Sequence, residues 1–128
     1  MTDFRWPVRV YWEDTDASGV VYHANYLRWF ERARTEWLRA KGHDQESMRI
    51  QLGIAFTIAG LEIRYLRPAR LDDALEVEVC LLESRRASLR FRQRLLRAGS
   101  DELLSDATVR VGCVDTRTFR PCAMPSLE

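Results

Sequence analysis

Lysine is nearly missing from this chain. Lys41 stands alone, and the other nineteen of twenty cations are arginine. Genome composition accounts for such a bias, and so does phosphate binding, because guanidinium groups fork onto phosphate oxygens. Net charge is missing too: nineteen carboxylates leave +1. So small a balance provides no overall field to hold nucleic acid or a membrane surface. Cysteine is scarce and unpaired in pattern. Cys80, Cys113 and Cys122 form no CxxC, which excludes a disulfide framework and a thiolate zinc site. Reduced thiols, and with them a cytoplasmic location, are expected. No apolar run approaches the ~18 residues of a membrane span. The first residues, Met1 to Pro7, carry no apolar h-region, so no signal peptide is expected. Repeats, linkers and low-complexity stretches are absent. The expectation is one soluble domain over 1–128, with 46% hydrophobic and 30% charged residues.

Within that frame the periodicity is informative. Val8 to Trp12 alternates and reads as a first strand. Asp14 to Gly19 is turn chemistry. From His23 to Lys41, Tyr26, Phe30, Ala33, Trp37 and Ala40 recur at helical spacing, with Trp29 and Leu38 widening the stripe. Gly42 stands where a helix-ending glycine belongs. His43 to Arg49 reads as a loop. Strands follow: Ile54–Leu66, Leu75–Leu81, Leu89–Leu95 and Val109–Cys113, with Ser84–Ser88 as a hairpin. If residues 83 and 89 face each other, Glu78 falls opposite Arg94 on a polar face, a pair worth about 0.2–1 kcal/mol. The order predicts an α+β fold: one long helix against a five-stranded antiparallel sheet. Open edges and an uncovered face favour dimerisation.

The segment that carries chemistry is Glu13 to Tyr26, for which three readings compete. It is a plain turn whose carboxylates complement a helix dipole. Or it is a calcium loop, with Asp14, Asp16, Ser18 and Gly19 at ligand spacing; Asn25 then replaces the bidentate Glu, and a strand rather than a helix precedes it. Or it is an active-site turn. There Asp16 sits beside a helix N-terminus whose free N–H groups hold a carbonyl oxygen as charge develops. The carboxylate attacks or activates water, and Gly19 lets the backbone approach closely. Ser18 lacks the G-x-S-x-G surroundings of a serine nucleophile. Two isolated histidines and no paired thiolates give no metal site.

Asp16-x-x-Gly19-x-Val21-x-x-x-x-Tyr26 resembles the signature of hotdog-fold acyl-CoA thioesterases, in particular the YbgC-like and 4-hydroxybenzoyl-CoA thioesterase family. The resemblance continues through Asn25–Glu31, Tyr65, Pro68-Ala69, Asp72-Asp73, Ser84–Ser88 and Met124-Pro125, so it spans Val8 to Pro125. It implies a hotdog fold, a long central helix wrapped by five antiparallel strands. It also implies dimers joined sheet edge to sheet edge, commonly paired into homotetramers, with active sites at the dimer interface. The implied activity is hydrolysis of an acyl-CoA thioester to a carboxylic acid and coenzyme A, with no cofactor or metal. Asp16 is the implied nucleophile or general base, with Gly19 in the catalytic turn. The His23 backbone N–H is the implied oxyanion donor. Tyr22 and Tyr26 are expected at the substrate, and Arg85, Arg86 and Ser88 at the phosphates of coenzyme A. Ala87 departs from a lysine of the hydroxybenzoyl enzyme. Glu31 and Glu36 lie on the helix, where a second branch of hotdog thioesterases carries its carboxylate. A non-catalytic acyl-CoA sensor and an enoyl-CoA hydratase are the alternatives.

Overall fold

A computed structural model describes residues 4–127. In chain order it has strand β1 (Phe4–Arg9), a short 3-10 turn (Trp12–Asp14), helices α1 (His23–Ala40) and α2 (Gln45–Leu52), and strands β2 (Ile54–Tyr65), β3 (Ala74–Ser84), β4 (Ser88–Arg97) and β5 (Leu103–Asp115). The strands form one antiparallel sheet in the order β1-β3-β4-β5-β2, the α+β hotdog arrangement.

Helix α1 forms where the apolar stripe predicts it. Tyr26, Trp29, Phe30, Ala33, Trp37 and Leu38 are buried against Leu75, Val77, Val79, Leu89, Phe91, Leu95 and Val109 of the sheet. Trp37 meets Phe91 edge-on at 5.0 Å. Burying each such large side chain contributes about 1.5–3 kcal/mol, so this stripe is the main reason the sheet closes on α1. The helix ends in a Schellman turn: Gly42 N–H donates to Arg39 O, His43 N–H to Leu38 O, and Gly42 takes φ +89°.

Several expectations are corrected. The first strand lies earlier, over Phe4–Arg9, because the chain turns at Tyr11, whose N–H goes to the Asp14 carboxylate. The expected loop from His43 to Arg49 is largely α2. Asp44 caps that helix by accepting from Ser47 N–H, and Gly53 ends it in the left-handed region. Only Met48 of α2 is buried, so capping rather than an apolar stripe defines it. Strand β5 starts six residues before Val109. At the hairpin Ser84 faces Leu89 and Glu83 faces Arg90, because a bulge near Leu82 shifts the register by one. Below the bulge Glu78 does face Arg94. Glu78 is not solvated, however. It is 4% exposed, with the guanidinium groups of Arg5 and Arg94 paired to its two carboxylate oxygens.

One polar link crosses the core. Gln93 is fully buried; its Nε2 donates to Phe30 O at 2.9 Å, and its Oε1 accepts from Arg34 Nη1 at 2.8 Å. Gln93→Leu removes both bonds: Phe30 O keeps only its helical partner, and Arg34 Nη1 loses its acceptor. It is expected to destabilise the fold by about 1–3 kcal/mol, read as a lower denaturant midpoint with an unchanged slope.

Candidate active site

The Asp16 turn is a small hairpin. Thr15 and Val21 form an isolated bridge, Asp16 N–H donates to Val20 O, and Gly19 N–H donates to Asp16 O. Gly19 adopts φ +87°, which a side chain would strain. The carboxylate is held by Ser18, whose N–H donates to Asp16 Oδ1 at 2.8 Å and whose hydroxyl donates to the same oxygen. Those bonds hold the exposed Asp16 carboxyl below the ordinary carboxylate value, and the nearby His23 ring adds to the shift.

The turn is fixed from behind. Asp14 accepts from Tyr11 N–H through one oxygen and from Asn25 Nδ2 through the other, and Tyr22 N–H donates to Asp14 O. Both Asp14 carboxylate oxygens are thus occupied by N–H donors, which serves a clamp rather than a cation loop. The segment carrying Ala69 closes the other side. Val21 N–H donates to Ala69 O, and Ala69 N–H donates to the Tyr26 hydroxyl. Burial raises the Tyr26 phenol above its usual value. Tyr26 is 3% exposed, so it braces the turn from the core.

Helix α1 begins at this turn without a side-chain cap and without an acidic residue in its first turn. Asn25 N–H returns to Tyr22 O, which leaves the N–H groups of His23 and Ala24 as the open positive end. Around them Tyr22, His23 and Tyr65 form an exposed aromatic rim. The Tyr65 hydroxyl donates to His23 O at 2.9 Å, and the Tyr22 and His23 rings lie 4.6 Å apart. A fixed, ionised carboxylate beside a bare helix N-terminus can deliver a nucleophile and hold an oxyanion.

Arg85, Arg86 and Ser88 lie elsewhere. From Ser105, opposite Tyr65, to Gly112, opposite Ser88, β5 runs seven residues, about 24 Å at strand rise. The hairpin is held by Cys113 N–H to Ala87 O and Met124 N–H to Arg86 O, and Arg85 pairs with Glu83 at 3.1 Å. One chain therefore does not bring Asp16 and the arginines together. A cavity of about 140 Å³ is also remote from the turn; it lies between the second half of α1 and the start of β2, lined by Arg34, Leu38, Phe56, Ile58, Phe91 and Val111 among others. Sequence reading did not find Arg34, whose partner Gln93 is 59 residues away. It noted Tyr65 and Ala69 without roles; their signal was the position of Tyr65 at the end of a strand, before Pro68.

Fold and turn together define a hotdog protein built around a carboxylate at a helix N-terminus. The family model of the thioesterase-like superfamily matches residues 10–127, and the chain belongs to that family. It is 48% identical over 124 residues to the acyl-CoA thioester hydrolase YbgC of Escherichia coli O157:H7, covering 97% of this chain and 91% of that one. It is 49% identical over 122 residues to the acyl-CoA thioesterase YbgC of Haemophilus influenzae, covering 95% and 88%. Among solved structures, a probable thioesterase from Bartonella henselae superposes with a TM-score of 0.89 at 31% identity, covering 95% and 98%.

The Ser18 contacts make a direct prediction. In Ser18→Ala the hydroxyl bond is lost while the backbone bond stays. The Asp16 carboxyl, followed by carbon-13 NMR, should titrate at higher pH than in the parent, toward the ordinary 3.8. An unchanged midpoint contradicts the assigned hydrogen bond.

Proposed function

We propose that the protein hydrolyses acyl-CoA thioesters at the Asp16 turn, giving a carboxylic acid and free coenzyme A. The observation that carries this reading is the ionised Asp16 carboxylate on a rigid turn beside the uncapped N-terminus of α1, in a chain nearly half identical to acyl-CoA thioester hydrolases. Asp16 either attacks the thioester carbonyl, giving a mixed anhydride that water then hydrolyses to the acid, or takes a proton from the water that attacks directly. The His23 N–H, at the positive helix end, takes the carbonyl oxygen as it becomes an oxyanion, and the coenzyme A thiolate leaves. Gly19 keeps the turn open to substrate, and Tyr22 and Tyr65 wall it. Tyr26 acts behind the turn, through Ala69. Ionised Asp16 is needed throughout, and its depressed pKa extends activity toward acid pH rather than away from it. The reaction uses no metal and no bound cofactor, since coenzyme A enters with the substrate.

We further propose that two copies complete the site. Strand β2 is an outer strand of the sheet, and its inner-facing Ile58, Leu61 and Tyr65 are 52%, 41% and 44% exposed. Such an edge suits antiparallel pairing with the same strand of a second copy. That pairing lays the Tyr65 end of one β2 beside the Ile54 end of the other. It therefore brings the Asp16 turn of one copy toward the arginine hairpin and the cavity of its partner. Arg85, Arg86 and Ser88 then receive the phosphates of coenzyme A by charge-assisted bonds. A dimer of dimers forms from further contacts, and the cysteine usage of the sequence supports a cytoplasmic site of action.

The β2 edge is testable. Leu61→Arg places a charge in the middle of the seam. It is expected to halve the mass seen by sedimentation and to abolish thioester turnover while the circular dichroism spectrum is kept. A folded variant of halved mass with full turnover contradicts the two-copy site.

A further inference from the structure

The cavity beside α1 holds a cation that the reaction above does not use. Its wall is apolar over Trp37, Leu38, Phe56, Leu89, Phe91 and Val111, yet Arg34 also lines it. Arg34 is half-buried; burial lowers its pKa, and the charge of Glu31 acts against that shift. Its Nη1 donates to the neutral amide of Gln93, and among the described residues no carboxylate lies within ion-pair distance. Other arginines without a carboxylate partner, such as Arg9, Arg28 and Arg32, are exposed; Arg34 differs from them in being half-buried at the wall of a cavity. Glu31 stands at the rim, exposed, with its carboxylate accepting from the Thr35 hydroxyl. Four guanidinium N–H donors thus remain beyond the one given to Gln93.

A half-buried guanidinium bonded only to a neutral amide, beside an apolar wall, gives an anion in the cavity charge-assisted hydrogen bonds that a neutral group cannot make. At about 140 Å³, the cavity matches an engineered one of ~150 Å³ that admits benzene, so it accepts about six heavy atoms. Arg34 lies eleven residues beyond His23, about 17 Å along the axis, too far to serve its own turn with so short a group. The antiparallel β2 pairing instead sets the cavity under the Asp16 turn of the second copy.

We infer that Arg34 selects short acyl groups ending in a carboxylate, so that the preferred substrates are coenzyme A half-thioesters of small dicarboxylic acids. This inference rests on the two-copy thioesterase reading. The acyl methylenes lie along Phe56 and Ile58, and the terminal carboxylate accepts from the Arg34 guanidinium.

The test compares glutaryl-CoA with 5-methylhexanoyl-CoA, in which an isopropyl end replaces the carboxylate at nearly equal size. Release of coenzyme A is followed for the full chain, and kcat/KM is taken for each ester. The parent should favour glutaryl-CoA on the order of tenfold or more. Arg34→Met should bring that ratio to one or below, and Arg34→Lys should keep part of it. A purely structural Arg34 would slow both esters alike and leave the ratio unmoved, which overturns the inference. So does a parent that prefers the isopropyl ester, an outcome that leaves thioester hydrolysis itself intact. Release from neither ester overturns the inference, while the long and aromatic acyl-CoAs then decide thioester hydrolysis itself. If Arg34→Met does not fold, the parent and Arg34→Lys ratios decide.

Discussion

The site depends on one unmet requirement of the backbone: the first N–H groups of α1 have no partner. Tyr22 at the cap position offers no side-chain bond, and the first turn holds no carboxylate of its own. An uncapped end normally destabilises a helix. Here α1 is held by its buried stripe instead, with Trp29, Phe30 and Ala33 nearly or fully enclosed. The helix can leave its end bare because packing, and not capping, secures it. The Asp14 and Ala69 bonds then fix the turn against that end, so that Asp16 and the open N–H groups keep one relative position.

The two ends of the sheet carry different features. The Tyr65 end carries the turn and the helix N-terminus. The other end carries the arginine hairpin, the start of β2 and the cavity. The antiparallel β2 pairing proposed above would reverse one copy relative to the other and bring the two ends together. The exposed apolar residues of β2, a liability in an isolated chain, are the feature on which that proposed pairing rests.

Much of this was legible in the sequence, for physical reasons that also explain the misses. Helix α1 announced itself because one apolar face must be buried, and β3 and β4 because their inner residues alternate. Helix α2 did not, since it buries only Met48 and rests on the Asp44 cap. The early half of β5 did not, because Leu103-Leu104-Ser105 breaks alternation. The hairpin register slipped at Leu82, where a bulge leaves no mark in composition. At the site, the Asp16 turn was readable because turn residues, a glycine and a helix start fall within a few positions. The clamp of Ala69 on Tyr26 and the Arg34–Gln93 link join residues 43 and 59 positions apart, and only the folded chain places them together.

The most direct measurement is release of free coenzyme A by Asp16→Asn beside the parent, across short, medium, long and aromatic acyl-CoAs. Asn keeps the size of the turn residue but loses the charge. The account predicts an intact fold and turnover lower by about 10²–10⁴-fold for every ester the parent accepts. Turnover retained within a few-fold would contradict it, and would move the chemistry away from the helix N-terminus.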